Sequence, residues 1–497
     1  MQDGAARLLQ LHLAKDNLES TQRRVLQNAF DRLTSRDPAR AWTSGQWMTE
    51  RSGGSDVSQT ETVATFAPFP NNEAAPLADL EDGIPLGPWL INGFKWFSSA
   101  TDASMTILLA RTKPDKGLSA FFAPMRRYNP SLVSATGKQG GTELNGVNIQ
   151  RLKNKLGTQS LPTAELELKG MRGWMIGEEG KGIQQVSTIL AITRVHSAIS
   201  SLGYLGRGLA IARSYALVRE VGVGRGKRIP LWKNPLHMRT LANITGEYHA
   251  MMLLTFYTIY ILGLDETGGR TGSSTPSSSP LASSALSPPR EHVAPLLRVL
   301  TSLLKSYCCE RAVPLLFGCM AALGGVGYLV NTETEHANVA RIFRDACVLP
   351  IWEGTTDVLA SDTLRALKHP TSGAQCVDAL SWFVESALGE IPAGAAGGRT
   401  VGEEWKKIRA KILGRDQETL LVEARDITFR IAEILIATLL LADVKLNSGP
   451  EVQSMTRRFL QKQGFMNSGE ASEGLDIDQA IVYGRGATDV QKGGPKL

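Results

Sequence analysis

Cysteines and long apolar runs are scarce in this 497-residue sequence. Its five cysteines show neither the C-x-x-C and histidine spacing of a zinc site nor the arrangement of a disulfide framework. No apolar run approaches the roughly 20 uncharged residues that a helix needs to cross a bilayer. These absences exclude zinc modules, disulfide-stabilised secreted domains and helical membrane proteins, and they favour a soluble protein of a reducing compartment.

The amino terminus also lacks a recognisable targeting segment. The residues after Met1 form neither the basic segment and apolar core of a secretory signal nor the Arg- and Ser-rich amphipathic pattern of a transit peptide. The last three residues, Pro495–Leu497, are similar to the peroxisomal Ser-Lys-Leu address, with proline in place of the small first residue. We therefore expect an intracellular protein of the cytoplasm or the peroxisome, not a secreted one.

The charge balance is only weakly basic. The net charge of +6 would suit an anionic partner such as a nucleotide, coenzyme A, nucleic acid or a membrane surface, but it is too small for this length to select one. The hydrophobic fraction of 42% and the charged fraction of 21% are typical of globular proteins. Because single cores stop growing at roughly 250 to 300 residues, the length predicts two to four domains.

Hydrophobic periodicity divides the chain into four segments. The first has apolar residues at helical spacing, and the second has strand-like runs broken by glycine, proline and asparagine clusters. The third contains four long helical patterns, which predict a four-helix bundle, and the fourth continues as a helical extension with a polar tail. The predicted segments are residues 1–44, 45–172, 173–370 and 371–497.

These segments predict the α+β class, with a β-barrel or β-sheet middle domain followed by the helical bundle. A stretch rich in Gly, Ser, Thr and Pro, residues 267–289, separates the second and third long helical patterns. Such a composition cannot bury enough apolar surface to offset the entropy lost on ordering. We expect this stretch to be a disordered surface insert.

The first stretch that suggests chemistry is residues 45–57. Its paired glycines, Gly53 and Gly54, would let the backbone approach a flat or phosphorylated ligand closely, and Thr49 and Ser55 offer uncharged hydroxyls. A ring system could be held in this way. A polar turn that leads into a strand explains the same residues.

The second stretch is residues 92–101, which precede a strand that ends at Arg111. Trp96 is large and planar, and the Ser98 hydroxyl could reach a ring nitrogen of a cofactor packed against it. A core tryptophan on a hairpin is an equally ordinary interpretation.

The third stretch is residues 341–358, in which a helix is expected to begin just after Gly354. Thr355 is a suitable N-cap, Asp357 complements the positive end of the helix dipole, and Glu353 would lie on the turn that enters the helix. Its apolar neighbours would make Glu353 a better proton acceptor. A solvated or dipole-stabilised glutamate is the ordinary alternative.

In this order and context, the three stretches resemble acyl-CoA dehydrogenases. The resemblance rests on Thr-Glu followed by two small residues and Ser-Asp, then Lys-Trp-Phe before a strand ending Ala-Arg, then Arg-Asp leading to Glu-Gly-Thr. It extends over residues 3–367. The amino-acid sequences at residues 48–57 and 351–354, together with the helical extension, are most similar to those of the alkylation-response (AidB-type) branch.

The resemblance implies an FAD cofactor, an acyl-CoA substrate and a homotetramer. Glu353 would be the catalytic base that removes the α-proton while the β-hydrogen passes to the flavin as hydride. Ser55 and Arg194 would contact the substrate, although Ala191 stands where an acidic residue is usual before this arginine. The implied cofactor-binding residues are Met48, Thr49, Ser55, Trp96, Ser98, Arg219, Gly324, Gly325, Thr355 and Asp357. Arg225, in the altered segment that follows Arg219, is a competing match.

The Thr-Glu motif begins early in this chain, so the resemblance also implies that residues 1–44 are a remnant of the family's N-terminal helical domain. That domain packs on the β domain and walls the acyl pocket. We expect its shortening to expose apolar surface and to weaken FAD and substrate binding.

Two other functions remain open at this point. One is a nucleic-acid-associated AidB-type flavoprotein with weak dehydrogenase activity, which basic groups at residues 225–228 and 457–458 suggest. The other is an inactive, truncated homologue that oligomerises without FAD.

Overall fold

A computed structural model describes most of the chain and divides it into two compact units, Met1–Thr193 and Arg194–Leu497. The predicted insert at 267–289 lies largely outside the described residues, as does Pro495–Leu497, so both interpretations stay predictions. The predicted domain boundaries also stay predictions. The described residues are 1–15, 18–70, 75–79, 83–268, 285–330, 338–392, 396–467, 469 and 473–485.

The first unit opens with two helices, α1 (Gln2–Leu13) and α2 (Ser20–Leu33). Glu19 caps α2, because its carboxylate accepts hydrogen bonds from the backbone N–H groups of Thr21 and Gln22. The apolar sides of both helices are buried in one core with the sheet that follows. The helical spacing read from the sequence is therefore confirmed here.

The sheet of the first unit is mixed, with strand order β1-β4-β5-β9-β3-β2 and with β8 also paired to β9. Strands β1 and β4 run parallel, and the other pairs in this sheet run antiparallel. Strands β6 and β7 form a separate two-stranded sheet. The strands are β1 (Ser44–Trp47), β2 (Val63–Phe66), β3 (Trp89–Ser99), β4 (Met105–Ala110), β5 (Ser119–Pro124), β6 (Arg126–Val133), β7 (Gln139–Leu144), β8 (Val147–Leu152) and β9 (Thr163–Ile176).

Strands β4 and β5 are buried along their whole length because both faces of the sheet are covered. Ile107 and Phe122 point into the core shared with α1 and α2. Their neighbours Leu108 and Phe121 point into a second core on the opposite face, which also contains Trp47. This double burial explains why the two strands are continuous apolar runs in the sequence.

The second unit contains the four long helices that the sequence predicts, and α3 begins before the unit boundary. The segment after α3 forms a short hairpin of β10 and β11, and the short helix α6 precedes α7. Asn234 caps α4 by accepting a hydrogen bond from His237, and Pro235 occupies the first turn, where no N–H partner is lost. The elements are α3 (Gly182–Val218), β10 (Glu220–Gly222), β11 (Arg228–Pro230), α4 (Pro235–Glu266), α5 (Arg290–Ala322), α6 (Val339–Ala346) and α7 (Thr356–Leu367).

The C-terminal extension contains more helices than its sequence pattern predicts. The sequence of this segment shows two amphipathic helical patterns, near residues 403–413 and 418–441, and these correspond to α9 and to α10 with α11. The pattern did not predict α8, or α12 and α13 in the segment expected to be a polar tail. The extension helices are α8 (Gly373–Gly389), α9 (Gly398–Gly414), α10 (Gln417–Leu421), α11 (Ala424–Leu446), α12 (Pro450–Lys462) and α13 (Leu475–Tyr483). Nowhere in the described ranges is a helix long and apolar enough to cross a membrane.

The extension is not a separate appendage, because it shares one hydrophobic core with the bundle. Helix α11 packs against α4, α5 and α7 of the bundle and against α8, α9 and α12 of the extension. Its residues from Ile431 to Leu441 are almost all buried. A helix that is apolar on all sides belongs in the middle of a core, so α11 is a central element of this unit.

A pair of leucines on α11 tests this arrangement. Leu440 is 0% exposed and Leu446 is 80% exposed. We expect Leu440→Ala to lower the free energy of unfolding of the helical unit by about 2–5 kcal/mol, since a buried cavity is created. Leu446→Ala should change it by less than about 0.5 kcal/mol. Denaturation of both variants is monitored by circular dichroism. Equal denaturation midpoints would show that α11 is peripheral.

Candidate functional site

The Thr-Glu motif lies on a tight turn just after β1. The backbone N–H of Glu50 donates to the Gly53 carbonyl at 3.0 Å, and that of Gly53 donates to the Glu50 carbonyl at 3.2 Å. A Cβ on Gly53 would lie 2.0 Å from the carbonyl oxygen of Asp56, so this position requires glycine. Ser55 lies exposed on the turn, while Thr49 is half-buried.

An ion pair buried beneath this turn joins the first motif stretch to the second. Lys95 Nζ donates to Glu50 Oε1 at 2.6 Å and to the Leu109 carbonyl at 3.0 Å, and the Thr62 hydroxyl donates to Glu50 at 2.6 Å. Burial alone would raise the pKa of Glu50, but the charge of Lys95 and the hydrogen bonds bring it below its ordinary value. Sequence reasoning gave neither residue a role, although both belong to the quoted motifs.

The second stretch is held at the same turn, because the backbone N–H of Trp96 donates to the Thr49 carbonyl at 2.9 Å. The Trp96 ring is half-buried, with Lys153 Nζ 3.2 Å and the Arg51 guanidinium carbon 4.4 Å from its centroid. Thr49, Glu50, Lys95 and Trp96 are thus brought together within the first unit.

Ser98 differs from its neighbours because its hydroxyl is unsatisfied. The side chain is fully buried, and Oγ has no hydrogen-bond partner within the part of the chain that the structure describes. Buried hydroxyls nearly always have a partner in native proteins. A ligand that accepts or donates a hydrogen bond at this point would supply one. Met48 is half-buried and packs against the core between sheet and helices.

In the second unit, Glu353 lies on a strained turn. Glu353 has φ +55° and the following Gly354 has φ +93°. A left-handed backbone costs a residue with a Cβ roughly 1–2 kcal/mol, so the surroundings must hold Glu353 in place. Thr355 caps α7, as predicted, and its hydroxyl accepts a hydrogen bond from the Val358 N–H at 3.4 Å.

A buried lysine on α5 lies under this turn, and sequence reasoning missed it. Lys305 is 0% exposed, and its Nζ donates to the Gly354 carbonyl at 2.5 Å. Burial lowers the pKa of Lys305 to about 8; the negative charge of Glu353 opposes this shift, and the Arg194 charge adds to it. The feature of the sequence that could have revealed Lys305 is its position as a lysine within the apolar run of α5.

Arg194 lies in an internal ion cluster rather than on an open surface. It donates to Asp362 at 3.0 Å and to the Ser302 hydroxyl at 2.9 Å, and Arg298 donates to both Asp362 oxygens at 2.8 and 3.0 Å. Burial alone would raise the pKa of Asp362, but the Arg298 hydrogen bonds and the Arg194 charge hold it well below its usual range. This cluster joins α3, α5 and α7, and the predicted substrate contact of Arg194 stays a prediction.

The remaining predicted cofactor residues of this unit lie at exposed positions. Arg219 is at the base of the β10–β11 hairpin, and the competing Arg225 is at its tip with φ +51°. Asp357, at the start of α7, forms an ion pair with Arg425 of α11 at 2.8 Å. Gly324 and Gly325 lie on the 3₁₀ turn Gly324–Tyr328, where an added Cβ would meet no atom within 4 Å.

Comparison with known proteins identifies the family. Residues 45–171 match the acyl-CoA dehydrogenase middle domain, and residues 281–368 match the acyl-CoA dehydrogenase C-terminal domain. Acyl-CoA dehydrogenase family member 11 of Caenorhabditis elegans is 35% identical over 488 residues, which cover 92% of this chain and 68% of the worm protein. The chain belongs to the acyl-CoA dehydrogenase family.

Two further comparisons extend this result. The crystal structure of C. elegans ACDH-11 in complex with C11-CoA matches with a TM-score of 0.73 and 32% identity, over 98% of this chain and 75% of that one. Putative acyl-CoA dehydrogenase AidB of Escherichia coli is 29% identical over 65% of this chain, which spans 48% of the AidB sequence. The predicted fold, the class of oxidoreductase acting on acyl-CoA and the family's FAD cofactor are confirmed by this membership.

One observation on the described residues fits the binding of a flavin. The unsatisfied hydroxyl of buried Ser98 lies on the strand that carries Trp96, where the resemblance predicts contact with the flavin ring. The roles of the individual residues stay predictions.

The buried ion pair leads to a stability prediction. Lys95→Met leaves the Glu50 carboxylate buried without its partner, so we expect the free energy of unfolding to fall by about 3–5 kcal/mol. The double variant with Glu50→Gln should recover part of this loss, because it removes both charges. The control is Lys169→Met, whose ion pair with Glu167 is solvent-exposed, and it should cost less than about 1 kcal/mol. Equal losses for both lysines in denaturant unfolding would contradict this role.

Asp362 leads to a pH prediction. Because its pKa is lower in the folded than in the unfolded chain, its stabilisation is present above the unfolded pKa of about 3.9 and is lost as the pH falls further. The side chain of Asp362→Asn cannot ionise, so the variant should be less stable at neutral pH, and the difference should shrink as the pH falls to about 3. Parallel curves of denaturation midpoint against pH would contradict the assignment.

Proposed function

We propose that this chain is an FAD-dependent acyl-CoA dehydrogenase in which Glu353 removes the α-proton of the acyl thioester. The observation that carries the proposal is the strained, half-buried turn that holds Glu353 directly before α7. Strained backbone of this kind concentrates at functional sites. FAD, when bound, supplies the acceptor for the β-hydrogen, which leaves as hydride.

The chain's own residues have three tasks in this reaction. Glu353 accepts the α-proton on its carboxylate, and the turn orients it. Met48, Thr49, Ser55, Trp96 and Ser98 of the first unit would hold the flavin ring. Thr355, Asp357, Gly324, Gly325 and either Arg219 or Arg225 would hold the rest of the cofactor.

The substrate class follows from the family, and its chain length is open to direct screening. Because the worm relative was crystallised with C11-CoA, we propose an acyl-CoA thioester of similar length as the first substrate to test. Ser55 and Arg194 would lie on the substrate side of the site. By the same family resemblance we propose a homotetramer.

Membership of the AidB-type branch is a finer proposal. It is supported by the resemblance of the motif residues and of the helical extension, while the worm protein is more similar over more of the chain. The nucleic-acid alternative is weakened by the internal pairing of its basic groups. Arg457 and Arg458 both bind Glu473, and Arg458 also binds Asp478.

A Glu353→Gln variant tests the proposed base. With FAD and an acyl-CoA under anaerobic conditions, the wild-type flavin band should bleach, and the variant should bleach at least about 100-fold more slowly. The variant should keep its flavin spectrum, because the amide preserves the size of the side chain. Glu403→Gln, at an exposed position on α9, is the matched control and should bleach at the wild-type rate.

Two results would contradict the proposal. Full bleaching by Glu353→Gln would exclude Glu353 as the base. A wild-type protein that binds FAD but is not bleached by any acyl-CoA would exclude the dehydrogenase activity.

A further inference from the structure

Lys305 is unusual because it is a charged side chain placed within the helical core. It is fully buried, and its neighbours Leu303 and Leu304 on α5 are fully buried too. Lysine is almost never fully buried unless it is paired, because its ammonium group loses hydration. An apolar residue would be the cheaper choice for packing, so the amine has another role.

The role is indicated by what the amine contacts. Nζ donates to the carbonyl of Gly354, the residue directly after Glu353. Both residues have positive φ, and the Thr355 cap fixes the chain on the far side. A strained backbone persists only where the surrounding structure over-determines it. The bond from α5 and the cap of α7 together provide that constraint.

Charge acts in the same direction as geometry. The groups that face Lys305 are Cys309 on its own helix, Glu353 on the turn and Arg194 on α3. Arg194 forms an ion pair with Asp362, a carboxylate that it shares with Arg298. The carboxylate whose charge acts on the Lys305 ammonium is that of Glu353, so charge as well as the hydrogen bond links this amine to the turn.

We propose that Lys305 is a positioning residue for Glu353: it anchors the Gly354 carbonyl and so keeps the carboxylate aimed, without touching substrate or cofactor. The inference rests on the proposed function, in which Glu353 is the base. The anchor itself is a structural statement that can be tested without any activity.

The test compares Lys305→Met with a matched control. Lys368→Met removes another lysine of the same unit, whose Nζ donates to the Ile412 carbonyl at 3.0 Å. Two quantities are measured in the full chain: backbone hydrogen exchange in the peptide spanning residues 350–356, by mass spectrometry, and the kcat and KM of flavin bleaching by acyl-CoA.

In Lys305→Met we expect faster exchange in that peptide, by about 10-fold or more, since the turn opens locally. The kcat should fall by about 10–100-fold, because a base displaced by an ångström loses roughly that much, while KM stays within about 3-fold. Lys368→Met should change neither quantity. Lys305→Gln keeps an N–H donor on a shorter side chain, so both effects should be present but smaller than in Lys305→Met, and it replaces the methionine variant should that one fail to fold.

The outcomes separate the two proposals. Unchanged exchange in Lys305→Met and Lys305→Gln would overturn the anchor. Faster exchange with an unchanged kcat would overturn the positioning role. If the FAD-loaded wild type is not bleached by acyl-CoA, the proposed function fails, and the hydrogen exchange then decides the anchor alone.

Discussion

Removing a lysine ammonium from water is costly, and within the ranges that the structure describes two lysines are fully buried. Lys95 is buried against Glu50 beneath the Thr-Glu turn, and Lys305 is buried against the turn that carries Glu353. In each unit the buried amine donates a hydrogen bond to a residue of the turn, Glu50 in the first unit and Gly354 in the second. A partner must be present at the correct distance in both places, because an unpaired charge in such surroundings is strongly destabilising. The position of each turn is fixed by that requirement.

The helical unit shows how a rigid frame is built around one such turn. Asp362 collects Arg194, Arg298 and Ser302, and thereby joins α3, α5 and α7 by charge-assisted hydrogen bonds. Lys305 projects from α5, and Glu353 lies at the start of α7, so this cluster sets the spacing of the two helices involved. Helix α11 of the extension then closes the apolar core on α5 and α7. The extension is therefore part of the support for the turn.

The motifs that reveal the family are partly explained by these contacts. Within the Thr-Glu motif, Thr49 offers its carbonyl to Trp96, and Glu50 pairs with Lys95, so two separate stretches of sequence are constrained by one local structure. Gly53 is fixed by a close approach that admits no side chain. Such residues serve folding as well as chemistry, which is why a resemblance can be specific even where the role of each residue is undecided.

The sequence by itself determined the fold class, the change from strand-like to helical segments, the cap at Thr355 and the family. These follow from local periodicity, capping chemistry and motif order, all of which are properties of neighbouring residues. Only the tertiary structure decided that Lys305 meets Gly354, that Arg194 is held by Asp362 and that Asp357 pairs with Arg425. It also decided that α11 is central, because the residues on one helix do not show which other helices will cover it. Contacts between residues far apart in the chain depend on how the helices cross, and no local pattern encodes that.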